Sequence, residues 1–304
     1  MLQLRRHIAI PPGTTSEFDH GDVHLATGRV YVAHTAVNTV EMLDGEQGQH
    51  LMTLPGCPEG SGVICAQDAG VVFAAARGAG KLLAFDVMTG ALLCEVEVGP
   101  RPNGLTWDAV NKRLLVADVQ ENTARLLDFT DPRAGGAGRV HAIAALPGRP
   151  RWCVYDYQAE RFLVNIREPA CVVALDAHTA QVIAQFPISS AGPHGLDIDS
   201  TTRQAFIACD AASVVALDLT TGQELASTPI AGPPDAIWFN RKHSRLYVAI
   251  DQPGVLEVVN TRSMTIEQHI PTEDGTHTTA YDDQRQLLYV FLPDTCRAVV
   301  YEEV

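Results

Sequence analysis

"RLYVAI", residues 245–250, is a run of six residues rich in β-branched, aromatic and other apolar side chains, with the turn-forming "NRKHS" before it. Alone it says only that a short strand lies here. Its recurrence says more. "RVYVAH" (29–34), "VVFAAA" (71–76), "RLLVAD" (113–118), "RFLVNI" (161–166), "QAFIAC" (204–209) and "LLYVFL" (287–292) share its pattern, and the seven starts are 42, 42, 48, 43, 41 and 42 residues apart. A second column keeps the same register: Asp44, Asp86, Asp128, Asp176, Asp218 and Asn260 each close a strand and open a turn. Several of these turns carry Gly, as in "DVMTGALL" and "DLTTGQEL". The one long interval holds "TDPRAGGAGR" (130–139), read as an inserted loop.

Each unit reads as four short strands: a before the aligned run, b the run itself, c ending at the Asp, d after the turn. No helical period of useful length interrupts them. Four strands in 40–45 residues make a propeller blade, and seven runs predict an all-β, seven-bladed β-propeller filling residues 1–304 as one domain. The last unit stops at "RAVVYEEV", one strand short, while "MLQLRRHIAI" is a strand without a blade. The N-terminal strand is therefore expected to complete the last blade, which removes two sheet edges and closes the ring.

The repeat resembles the YVTN-type (YncE-like) seven-bladed β-propellers over essentially the whole chain, and "RLYVA" is similar to that group's strand b. The resemblance implies the fold and says little about function, because such propellers serve as scaffolds, binders and enzymes.

Composition excludes several partners. The chain of 304 residues carries 22 basic and 36 acidic side chains, a net charge of −14. Nucleic acid and anionic membrane are not expected, since both need clustered Lys and Arg. The start shows no apolar run of leader type and no stretch is long enough to span a membrane. Seven cysteines stand singly at 57, 65, 94, 153, 171, 209 and 296. With no C-x-x-C among them, they read as buried reduced thiols of a cytoplasmic protein.

The residue that opens strand a should point toward the axis at one end of the channel. Counting back ten from each aligned run, and nine in the first blade, gives His20, Ser61 (with Glu59 two before it), Asn103, Arg151, His194, Asp235 and His277. All are polar. Once the ring closes, the imidazoles and carboxylates of blades five, six, seven, one and two fall on one arc, and Asn103, Arg151 and Trp152 on the other. Three imidazoles with a carboxylate suit a divalent Zn, Mn, Fe, Co or Ni ion; Ca and Mg fit less well because they prefer oxygen shells. The plainer reading is a wet channel mouth whose side chains bond water and each other. The strand-b ends add Arg77 and Arg167, which with Arg151 form a positive cluster for a carboxylate or phosphate, or else make surface ion pairs.

Two functions follow as expectations. One is a small-molecule enzyme with a metal held by His20, His194 and His277. Glu59 or Asp235 would act as base or further ligand. Asn103, Arg151, Arg77 and Arg167 would hold a carboxylate- or carbonyl-bearing, possibly anionic, substrate. The chemistry would be of hydrolase (lactonase-like) or lyase type, by analogy with other propellers that carry channel-mouth metals; their motifs are not reproduced here. The other is a non-catalytic propeller that binds a ligand, metal or protein at the same face. No Ser-His-Asp order or reactive-cysteine signature points to covalent catalysis.

Overall fold

The fold is a computed structural model that describes residues 1–304 apart from 130, 132 and 134–137, so the insertion expected over 130–139 lies largely outside the described residues. The chain forms seven four-stranded antiparallel sheets arranged as blades around a central channel, which is the expected all-β propeller. Among the described residues no helix is long and apolar enough to cross a membrane.

The blade boundaries follow the repeat. Six sheets contain four consecutive strands each. The seventh is ordered β1 (Leu2–Ala9), β28 (Arg297–Glu303), β27 (Leu287–Leu292), β26 (Thr278–Asp282). β1 runs antiparallel to β28 from Leu2 opposite Glu303 to Ala9 opposite Arg297, so the N-terminal strand closes the ring. The Met1 ammonium adds an ion pair to Glu303 at 2.5 Å.

The turn column behaves as short polar side chains do when they mimic a backbone turn. Asp86 Oδ1 accepts the N–H groups of Met88 and Thr89, and Asp218 Oδ1 those of Thr220 and Thr221. Asp44, Asp176 and Asn260 repeat the arrangement.

Blades are held to one another by apolar clusters that span adjacent sheets. Leu163 and Val172 of blade four pack with Leu196, Ala205 and Ile207 of blade five, and Trp107 packs with Phe73 and Phe129 between blades two and three. Each fully buried Leu, Ile, Val or Phe contributes roughly 1.5–3 kcal/mol. The seven cysteines are free thiols.

The innermost strands bring the blades closest. They are β2 (Gly21–His24), β6 (Gly60–Ala66), β10 (Pro102–Asp108), β14 (Pro150–Asp156), β18 (Pro193–Asp199), β22 (Pro234–Asn240) and β26. Here the glycine of "PHGLDID" has its reason. A Cβ on Gly195 would lie 2.2 Å from the Asp235 carbonyl of the next blade, and one on Gly104 would lie 2.4 Å from that of Arg151. No side chain fits at those distances, so the polar residue before each glycine is carried close to its neighbour in the ring.

Candidate functional site

His194, at the start of β18, stands between two carboxylates. Its Nδ1 is 2.9 Å from Asp210 Oδ1 and its Nε2 is 3.2 Å from Asp235 Oδ1. Asp210 is also ion-paired with Arg167 at 2.8 Å. His277, just before β26, donates from Nδ1 to the Gly275 carbonyl at 2.8 Å. Arg151, Arg167, His194, Asp235 and His277 line one cavity of about 430 Å³ at the channel mouth, together with Asp210 and Asp251.

His20, just before β2, is buried, with its Nε2 3.4 Å from Asp19 Oδ1. Its ring stacks on Trp152 from the opposite side of the ring of blades, with centroids 4.1 Å apart, and Trp152 meets Trp238 edge-on at 6.3 Å. These three aromatic groups and Asp22 help to line a second cavity of about 250 Å³. Trp238 packs against an apolar cluster between blades and also lines this second cavity.

The electrostatics divide the cluster. Burial alone would push Asp235 up, but His194, His277, His20 and Arg151 outweigh it and hold the carboxyl below its ordinary range. Burial likewise opposes charge on His277, and there Asp235 and Asp19 win, so His277 lies above the usual histidine value. On His20 burial wins over Asp19 and Asp235, and the imidazole is pushed down toward its neutral form. Arg151 is lowered by burial first and then by neighbouring Arg149 and Arg167.

Glu59, Arg77 and Asn103 sit elsewhere on the rim. Glu59 pairs with Arg101 at 3.0 Å and approaches Arg77 at 3.9 Å; Arg77 reaches Asp19 at 3.4 Å and Asn103 Oδ1 at 3.5 Å. Ser61 donates to the Pro102 carbonyl. Sequence reading missed Asp19, whose position directly before His20 in "FDHG" was the available signal. Asp210 and Asp251, each directly after a strand b, also line the mouth cavity.

As the side chains stand, no group of three or more His, Cys, Asp and Glu among the described residues is arranged to hold a metal ion. The donor chemistry nevertheless suits a borderline divalent ion. His194 and His277 spend Nδ1 on Asp210 and on the Gly275 carbonyl, the arrangement that fixes a ligating imidazole, and His194 Nε2 then faces Asp235 Oδ1 at 3.2 Å. Asp235 Oδ1 is buried, and its contact with His194 Nε2 at 3.2 Å lacks hydrogen-bond geometry.

Fold and mouth together define a class: a seven-bladed propeller with a charge-divided channel mouth. No protein-family model matches the chain, and no curated protein matches it either.

Proposed function

We propose that the channel mouth is the active site of a metal-dependent hydrolase or lyase acting on a small carboxylate- or carbonyl-bearing molecule. One observation carries this reading. Among the described residues, those lining a single cavity include a buried acceptor, Asp235 Oδ1, whose contact with His194 Nε2 lacks hydrogen-bond geometry, and a buried donor without a hydrogen bond, Arg151 Nε. Buried polar atoms are normally paired, because each unpaired one costs about 1–3 kcal/mol. A ligand with an anionic end for Arg151 and Arg167 and a cation-assisted end at Asp235 satisfies both.

In this reading Arg151 and Arg167 orient the substrate oxygen. Asp235, ionised at neutral pH, takes a proton or anchors the metal. A metal held by His20, His194 and His277 with Asp235 would supply Lewis-acid polarisation of the carbonyl. Membership of the YVTN-type group, drawn from "RLYVA", and a cytoplasmic location, supported by seven free thiols, belong to the same reading.

A second reading, a propeller that binds at this face without turnover, is favoured by the rim from Glu59 to Asn103, where the side chains pair with each other.

The test is elemental analysis of protein purified without an affinity tag, with thermal unfolding in Zn²⁺, Mn²⁺ or Ni²⁺ and in malonate. Metal should raise the melting temperature, and His194→Ala should remove most of that rise. Arg151→Ala should keep the metal and lose the malonate effect. No metal, no metal-induced shift and no malonate effect would sink the proposal.

A further inference from the structure

A different cluster lies between blades seven and one. We propose that Ser16 is the nucleophile of a serine–histidine–glutamate triad with His34 and Glu41, able to take the acyl group of small neutral carboxylic esters.

Ser16 Oγ is in short contact with His34 Nε2, and His34 Nδ1 is 3.0 Å from Glu41 Oε1. A nucleophile within reach of a base, with the base oriented by a third group, is the geometric signature of nucleophilic catalysis, whatever the order along the chain. His34 and Glu41 are fully buried, while Ser16 is half-buried, so Ser16 is the member of the three that reaches solvent.

The carboxylate is built to stay charged. Burial alone would push Glu41 up. Hydrogen bonds from His34, Thr39, Thr53 and His50 outweigh it and hold the carboxyl below its ordinary range. An ionised Glu41 favours the His34 tautomer with its proton on Nδ1, leaving the Nε2 lone pair toward Ser16. Phe18, stacked on the His34 ring at 4.5 Å, fixes its plane.

Comparison with blade six separates chemistry from architecture. Glu257 occupies the strand position of Glu41, since Glu41 faces Val32 as Glu257 faces Val248. Glu257 also meets an outer-strand histidine, His269, at 3.2 Å. A buried glutamate paired with an outer histidine is thus a recurring structural device. In blade six the place of His34 is taken by Ile250, so the base is special to blade one, and Ser16 lies on the segment that crosses to it after ring closure.

In the reaction Ser16 Oγ bonds to the ester carbonyl carbon and its proton passes to His34 Nε2. The C–O bond to the alcohol breaks and the alcohol leaves with that proton. Water then releases the acid by the same route. The segment "TTSEFD" (14–19) carries Glu17 and Asp19 and no cation, which disfavours anionic acyl donors.

The experiment is labelling of the intact protein with a neutral alkyl fluorophosphonate, followed by peptide mapping. The Oγ–P bond forms and fluoride leaves. Label is expected on Ser16, absent in Ser16→Ala, unchanged in the exposed-site control Thr14→Ala, and slowed by at least about 100-fold in Glu41→Gln with the fold intact by circular dichroism. Glu41→Asp should recover part of the rate. The same variants should lose the nitrophenol burst from p-nitrophenyl acetate. No label on Ser16, or label forming as fast in Glu41→Gln or in urea-unfolded chain as in the native protein, would overturn the triad. None of these outcomes depends on a metal at the channel mouth.

Discussion

Asp235 at the channel mouth and Asp22 and Asp197 deeper in the channel all belong to innermost strands, and burial pushes all three carboxyls up. They end far apart. Asp235 finishes below the ordinary carboxylate range, whereas Asp22 is raised to about 7 and Asp197 to about 6. Their partners explain it. Asp235 faces three imidazoles and Arg151. Asp22 is held by backbone amides, accepting from Val23 N at 2.8 Å and from Cys65 N of the next blade at 2.7 Å. Asp197 repeats that stitch to Phe239 N of blade six at 2.7 Å, with only weak help from Arg241. Fixed dipoles offset desolvation less than full charges do. The mouth therefore keeps its carboxylate charged for chemistry, and the lower channel uses carboxylates as inter-blade ties that need no charge.

The largest way to break this contrast is to open the ring. His277 and His20 stand in blades seven and one, so both regions depend on the closure made by β1 against β28. Deleting residues 1–10 should expose the β28 edge, lower the melting temperature by more than about 10 °C or cause aggregation, and abolish the Asp235 cluster. Differential scanning calorimetry checks it; an unchanged transition would show that the closing strand carries little of the fold's stability.

A smaller effect isolates the lower channel. A carboxyl with a folded pKa above its unfolded value binds its proton more tightly in the native state. Its stabilising contribution is complete below the unfolded pKa, near 4, and is lost as pH rises through about 7 for Asp22 and about 6 for Asp197. Asp235 has the opposite sign, stabilising above its unfolded pKa and losing that as pH falls through the folded one. Between about pH 5.5 and 8 the parent should therefore lose stability that Asp22→Asn no longer loses, a difference on the order of a few degrees in melting temperature. Parallel pH curves for the two proteins would show that Asp22 does not titrate in this window.

The fold was legible in the sequence because its signal is repeated. Seven copies of one strand pattern and a column of turn aspartates fix blade number and register, and the unmatched strands at the two ends foretell the closure. The ring of strand-a residues was legible for the same reason. What each ring member touches was not. Counting positions places His20 beside His194 and His277, but only packing shows its ring turned onto Trp152 from a distant blade. Loop-borne residues escaped most fully. Asp210 resembles a turn aspartate in sequence, and the ladder of Ser16, His34 and Glu41 joins a crossover segment to two strands that no spacing rule connects.

The smallest expected effect tests which acidic residue of the mouth matters. Glu59 and Asp235 were equal candidates for the base by sequence. The Glu59 side chain is half exposed and its carboxylate is engaged by Arg101, with Arg77 farther off. Exposed pairs of this kind are worth about 0–1 kcal/mol, because water and salt screen them and two long side chains must be ordered. Glu59→Ala should shift stability by less than about 0.5 kcal/mol in chemical denaturation and leave any metal-induced rise in melting temperature intact. Asp235→Asn should instead weaken that rise and lower the His277 pKa, because it removes the carboxylate that most strongly holds the His277 proton. Imidazole titration by NMR reads the second effect directly. If Glu59→Ala proves the more damaging of the two, the rim rather than the buried cluster is where the mouth does its work.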